Sequence, residues 1–242
     1  MAELTIIIPA RNEELSIAET IRKLIARVTV EYEILVVNDH SSDKTKEAAL
    51  ALGEQYNNIK VVDNESRPSF VNALLCGIRN VQTPFFVAVM ADLCDEPETI
   101  NVMYKKIKEG YDIVVGSRYI AGGKRLGGSN LKAFFSKFMG KSLCFLIGIP
   151  AHDIPNAFKM YRTSILEGMQ IESRGFEVSA EIPLKAYFKG AKISEVPTVW
   201  RERQAGKSHF KMFKTGPGYL RLYLWALLRR LREIKLCIPK AN

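Results

Sequence analysis

Residues 85–98 read FFVAVMADLCDEPE: an apolar run ends on a single carboxylate, Asp92, and further acids follow at Asp95, Glu96 and Glu98. A carboxylate at a strand tip can hold a hard divalent cation, which takes oxygen ligands and would bridge the acid to a diphosphate. Met90, two positions earlier, offers such a cation nothing. Polar groups close other apolar runs in the same way: Arg11, Asn12 and Glu13 after 4–10, Asn38 and Asp39 after 32–38, Asp63 after 59–63, and Ser117 and Arg118 after 112–117. Plainer roles compete. Asp92 could cap a helix starting near Pro97, and Arg118 could pair with an acid on a neighbouring loop. His40, His152 and His209 read as solvated or hydrogen-bonded loop histidines, and Cys94 as a small semi-buried filler and not a nucleophile.

Chemistry at strand ends needs a sheet to align them. LTIIIPA (4–10), YEILVVN (32–38), IKVVD (59–63), FFVAVMA (85–91) and DIVVGS (112–117) read as buried strands, with helical patterns near 43–56, 69–80 and 97–109. After the first strand, Asn12 is expected to cap a helix with Glu13 and Glu14 in its first turn and Ile17, Ile21, Leu24, Ile25 and Val28 on its apolar face. This alternation predicts an α/β fold with a mainly parallel central sheet flanked by helices. Ligands of such sheets bind outside the carboxyl ends of the strands, so the polar groups above converge on one edge.

A chain of 242 residues with 47% apolar and 25% charged residues can bury a full core, which argues against disorder. Cys76, Cys94, Cys144 and Cys237 lack metal-ligand or redox spacing, and no secretory leader is recognised, so a cytoplasmic setting without structural disulfides is expected. The longest apolar runs, such as LCFLIGIP at 143–150, fall short of the roughly 20 residues of a spanning helix. From Arg201 to Asn242 eleven Lys or Arg face two acids, so the whole net charge of +9 lies there and asks for an anionic partner.

Neither GxGxxG after the first strand nor GxxxxGK[ST] anywhere supplies a phosphate cradle, which leaves nucleotide chemistry on a metal as the leading idea. IIIPARNEE, EILVVNDHSSDKT, MADLCDEPE, GSRYIAGG, HDIPNAFKMYR and ISEVPTVWRERQAGKS occur in this order. Together they resemble the signature of family 2 glycosyltransferases of the GT-A fold over about residues 3–210, and in particular those acting on lipid phosphates. The resemblance implies a GT-A catalytic domain over 1–210 and leaves 211–242 as a basic amphipathic helical tail. It also implies an inverting hexosyltransferase at the cytoplasmic membrane face. The donor would be a nucleotide sugar (GDP-mannose or a UDP-hexose), the acceptor a polyprenyl (dolichyl or undecaprenyl) phosphate, and the cofactor Mg²⁺ or Mn²⁺.

On this sequence the resemblance implies that Pro9 to Glu13, Arg11 included, line the nucleoside pocket, with Glu13 and Asp39 reaching base or ribose. Asp92 would hold the metal against the diphosphate. Arg118, Lys132 and Ser136 would bind the acceptor phosphate. Asp153 and Asn156 would lie in the segment closing over the sugar, and Arg201, Arg203 and Lys207 would neutralise the leaving nucleoside diphosphate. Catalysis is thereby assigned to Asp92, Arg118 and Asp153. The departures are specific. Met90-Ala91-Asp92 stands where acid-Ala-acid is usual, Cys94 where Gln is frequent, and Asn38 where an acid is common. Ser69-Phe70-Val71 replaces a glycine-flanked turn, and Lys132 replaces an Arg, which keeps charge but loses the bidentate fork. Weak or dispensable metal binding is expected, with Asp95 a candidate substitute ligand.

A phosphate acceptor is already anionic at neutral pH, so positioning and charge stabilisation, not a general base, would carry the rate. GPGYLRLYLWALLRRLREIKLCIPK (216–240) suits an anionic membrane surface, or packs on the domain with its basic face in water. Residues 131–150 offer an apolar face for a bilayer or a polyprenyl groove. Attachment is expected to be peripheral or through a membrane partner protein. Two other readings stand: transfer to a saccharide or other hydroxyl acceptor, with an exposed Asp153 as the base, and a non-catalytic nucleotide-sugar binder, motivated by Met90. Nucleic acid is not an expected partner, since no RNA-binding motif accompanies the basic tail.

Overall fold

The computed structural model describes residues 2–92, 94–203 and 212–237. Its strands are β1 (Leu4–Ala10), β2 (Tyr32–Asn38), β3 (Ile59–Asp63), β4 (Phe85–Ala88), β5 (Ile113–Ser117), β6 (Lys124–Leu126), β7 (Lys159–Arg162), β8 (Ile193–Pro197) and β9 (Val199–Arg201). Its helices are α1 (Ile17–Arg27), α2 (Thr45–Gly53), α3 (Phe70–Arg79), α4 (Thr99–Lys108), α5 (Asn130–Ile147), α6 (Val178–Phe188) and α7 (Met212–Cys237). Seven strands form one sheet in the order β3-β2-β1-β4-β7-β5-β8, and β6 pairs with β9 beside it. All pairs are parallel except those of β7, which runs antiparallel between β4 and β5.

Both faces of this sheet are covered at its centre, which is why β1, β2, β4 and β5 read as largely apolar runs. Ile6, Ile8, Ile34 and Val36 pack with α1, α2 and α4, while their neighbours Ile7, Leu35 and Val37 pack with α3 and join the core beneath α5, α6 and α7. The chain moves outward from β1 to β3 and then returns to β4 on the other side of β1, so the strand order reverses between β1 and β4. A crevice opens at the carboxyl end of such a reversal. Because β7 is antiparallel, it begins at that same edge, and the segment just before it, with Asp153 and Asn156, is delivered there.

The predicted strands all lie in this sheet, with two corrections in the first half. The fourth ends at Ala88, not residue 91, because β7 pairs only with Phe85–Val87 and the chain beyond Val89 turns into the crevice. Asn12 does not cap α1, which starts at Ile17 after Ser16. Asn12 has φ 54°, incompatible with a cap, and accepts the Ser42 backbone N–H at 2.8 Å, tying together the loops after β1 and β2. Glu13 and Glu14 therefore precede the helix. Asp92 is not a helix cap either, since Glu98 precedes α4.

Helix α5 starts at the N-cap Ser129 and ends at Gly148, whose φ of 80° gives the left-handed turn that stops it. Helix α7 packs on α5 and α6 through the buried Leu222 and Ala226. Its opposite stripe, Leu220, Leu224, Leu228, Leu231 and Ile234, is exposed. Among the described residues no helix is long and apolar enough to cross a membrane.

Candidate active site

The strand ends surround a cleft of about 1010 Å³. Pro9, Arg11 and Glu13 after β1, Asp39 after β2, and Met90, Asp92, Cys94 and Asp95 after β4 form one end. Arg118 stands mid-cleft with Lys132 and Ser136 of α5, and the far end is apolar, between Phe135, Phe138 and Met139 of α5 and Leu220 and Tyr223 of α7.

At the first end, Asp39 Oδ1 accepts from Asn64 at 2.7 Å and from the Ser69 backbone at 3.3 Å. Ser69 also caps α3 by accepting the Asn72 N–H, which accounts for serine where a glycine turn was the usual expectation. Asn38 donates to Asp63 at 2.8 Å, so an acid at 38 would face a second carboxylate. Asp92 Oδ2 lies 3.6 Å from Arg203, whose other nitrogen donates to Glu13 at 2.7 Å. Asp92 Oδ1 is buried without a hydrogen-bond partner among the described residues. Burial and the adjacent Asp92 charge push the Cys94 thiol far above its ordinary range, so it stays protonated. Asp95 is pushed up to about 7, first by burial and then by Asp153 and Asp92, against the pull of Arg118 and Asn156. Nothing in the structure explains Met90.

The middle of the cleft is built on one ion pair. Arg118 Nε and Nη2 donate to the two oxygens of Asp153 at 2.7 and 2.8 Å, and the Arg118 backbone N–H adds a third bond at 3.0 Å. Nη2 also donates to Ser136 Oγ at 2.9 Å. Burial opposes the guanidinium charge, but Asp153 outweighs it and raises the pKa above arginine's ordinary value. The plainer reading of Arg118, pairing with an acid on a neighbouring loop, is met; the residue also lines the cleft, with Nη1 unclaimed among the described residues. Asp153 is fully buried behind it, which corrects the expectation of an exposed carboxylate and removes it as a base. Beneath the pair, Lys159, also fully buried, donates to the carbonyls of Ile154, Asn156 and Ser179 and pins the loop that carries Asp153.

Among the described residues the cleft gathers every predicted site residue except Arg201 and Asp153. Arg201 points outward to Glu96 at 3.3 Å, because alternation along β9 turns Trp200 inward instead. Asp153 acts from behind Arg118, and Lys207 lies outside the described residues. Sequence reasoning missed Trp200, which carries Arg125 over its ring at 4.8 Å, and the stacked pair Phe70–Phe176, 4.7 Å apart. The alternation in PTVWRER was the available signal for Trp200; the Phe pair joins segments a hundred residues apart and had none.

Residues 5–169 match the family described as Glycosyl transferase family 2. The chain belongs to that family. Among curated relatives of this family 2 chain, the dolichol-phosphate mannosyltransferase of Pyrococcus furiosus is 32% identical over 96% of the chain, and the chain spans 65% of that protein's length. The polyprenol monophosphomannose synthase of Mycolicibacterium smegmatis is 27% identical over 93% of the chain and 88% of its own length. Glucosyl-3-phosphoglycerate synthase of Mycobacterium tuberculosis, solved with Mn²⁺ and UDP-glucose, has a TM-score of 0.69 at 18% identity, covering 95% of this chain and 79% of that one. That likeness establishes the shared GT-A fold.

Proposed function

We propose that the chain is an inverting glycosyltransferase that moves a sugar from a nucleotide-sugar donor to a polyprenyl phosphate while docked peripherally on the cytoplasmic membrane face. The observation that carries this reading is the continuity of the cleft, from the carboxylates at the β1/β4 reversal, past Arg118, to an apolar end between α5 and α7. Those three environments match a nucleoside diphosphate, an acceptor phosphate and a prenyl chain. The names of the two curated relatives agree with it.

Pro9, Arg11, Glu13 and Asp39 would hold the nucleoside. The donor set fits a Mg²⁺ or Mn²⁺ ion that arrives on the diphosphate: Asp92 Oδ1 is an orphaned hard donor, Met90 offers none, and the Cys94 thiol keeps its proton. When bound, the ion neutralises diphosphate charge. Arg203, which bonds Glu13 and lies near Asp92, would turn to the diphosphate as charge develops on it. Arg118 Nη1, Ser136 and Lys132 would seat the acceptor phosphate at the first turn of α5, where the helix N-terminus favours an anion. A phosphate oxygen then attacks the anomeric carbon, and the bond to the nucleoside diphosphate breaks on the opposite side. No base is needed, consistent with the burial of Asp153, which serves to aim Arg118. That burial also counts against a hydroxyl acceptor.

The test is extraction of labelled product into organic solvent after incubation with undecaprenyl or dolichyl phosphate and a panel of nucleotide sugars, with Mn²⁺ or Mg²⁺ and with EDTA. Metal-dependent label in the organic phase is expected. Label that survives EDTA removes the ion and keeps the transfer; no label with any donor, in the presence of measurable donor binding, returns the chain to a binder.

A further inference from the structure

Beside the cleft, on another flank of α5, a second hollow of about 400 Å³ opens to the surface. Its walls include Tyr119, Arg125 of β6, Gly128, and Asn130, Phe134 and Lys137 of α5. The three helical residues are spaced by four and three, so they share one stripe of α5. Lys132 and Ser136 line the cleft and not this hollow. Arg125 is partly buried: its guanidinium lies over the Trp200 ring at 4.8 Å, and Nη1 donates to the Ser129 carbonyl at 3.1 Å. Gly128, with φ 75°, makes room for it, since an added Cβ would stand 2.3 Å from Arg125 Nη2.

No acid lines the hollow, and among the described residues neither Arg125 nor Lys137 has an ion pair. Glu202 is committed to the Gly128 backbone N–H at 2.9 Å. Burial lowers the Arg125 pKa, and the Arg118 charge adds to this against Tyr119, Glu202 and Asp153. An anion in the hollow would supply the missing counter-charge. Phe134, 62% exposed, borders the same hollow and stacks on Phe138 with ring centres 6.3 Å apart. Cations beside exposed aromatic rings on one helix suit a membrane interface. A free inorganic anion would use the cations and leave the rings in water.

We propose that this hollow seats the headgroup of an anionic phospholipid, with Arg125 and Lys137 on its phosphate and Phe134 beside the start of its acyl chains, at a site separate from the acceptor seat at Arg118. A guanidinium held flat by Trp200 presents its remaining donors in a fixed fork, which suits phosphate oxygens. Tyr119, Arg125 and Gly128 line both cavities, so a lipid bound here would hold the start of α5 against the bilayer beside the cleft. The inference rests on the peripheral-membrane part of the proposed function and not on sugar transfer.

The test uses the full chain carrying Trp225→Phe, which leaves Trp200 as its one tryptophan. Dihexanoyl phosphatidylglycerol, added below its micelle threshold, should change the Trp200 emission saturably, while dihexanoyl phosphatidylcholine and inorganic phosphate should each bind at least about 10-fold more weakly. Arg125→Gln combined with Lys137→Gln should weaken phosphatidylglycerol binding by about 30-fold, and Lys137→Gln alone by about 5-fold. Lys132→Gln and Arg229→Gln should leave it unchanged. On phosphatidylcholine vesicles the double variant should float like its parent, and added phosphatidylglycerol should separate the two. No emission change, equal binding of phosphatidylcholine or inorganic phosphate, unaltered affinity in the double variant, or loss of binding in Lys132→Gln would each overturn the proposal. Failure of the parent to float on either vesicle, with the short-chain lipid still bound, would overturn the membrane docking and uphold the headgroup site.

Discussion

Arg118 and Asp153 show how one pair can set both stability and chemistry. Removing the carboxylate leaves a buried guanidinium without its counter-charge, so Asp153→Asn should lower stability by about 3–5 kcal/mol, read from denaturant unfolding. Arg118→Lys keeps the charge but not the fork, and should cost about 10²-fold or more in kcat/KM with little change in donor binding. At the other end, Asp92→Asn should abolish transfer, whereas Met90→Asp should leave it intact and tighten Mn²⁺ binding in the presence of nucleotide diphosphate. Lys159 supplies a pH signature. Burial, helped by Arg118 and opposed by Asp153 and Asp95, lowers its pKa from 10.5 to about 7. Between those values the unfolded chain holds a proton that the native chain lacks, so this group makes stability rise with pH across that window. Urea midpoints measured across it should rise less steeply in Lys159→Met than in the natural chain.

At the scale of elements, α5 links the two halves of the cleft. Its first turn brings Lys132 to the cleft, Ser136 touches Arg118, and Gly140 seats the helix against the His152 carbonyl. Gly140→Ala should therefore force the helix off its loop at a cost of about 1–3 kcal/mol. Loss of Ser136 from Arg118 should appear as a raised KM for the acceptor with donor binding retained. Part of this was legible from the chain, where the resemblance groups Lys132 and Ser136 with Arg118 and residues 131–150 offer an apolar face, but neither the Ser136–Arg118 bond nor the close approach at Gly140 has a local signal. The same limit explains Asn12: its residue type suits a helix cap, but its left-handed backbone serves a contact with Ser42, thirty residues on.

The whole molecule is asymmetric. Of the sixteen large exposed apolar side chains among the described residues, eleven lie on α5 and α7, including Phe134, Phe138 and Phe145. Phe135, Phe138 and Leu220 of this set line the apolar end of the cleft, and along the chain the set is interleaved with Lys137, Lys141, Arg221 and Arg229. Such a platform should hold anionic vesicles by combined insertion and charge, and flotation should weaken with salt. The double variant Phe134→Asp with Phe138→Asp should stop floating and lose transfer to long-chain polyprenyl phosphate while keeping donor binding; retained flotation would place the membrane contact elsewhere.

The sequence by itself determined five of the sheet's seven strands and the edge on which they end, because strands buried on both faces are largely apolar and end where polar residues begin: Glu13, Asp39, Asp92 and Arg118 follow β1, β2, β4 and β5, whereas the polar-bearing β7 and β8 carried no such signal. It also carried the family, through six ordered motifs. Only the tertiary structure decided the partners. Asp153 reads as a loop acid and is a buried counter-ion; Arg201 reads as a phosphate ligand and turns outward; Lys159 carries no local signal and holds the loop. Burial and pairing depend on segments far apart in the chain, and no local pattern encodes which of them will meet.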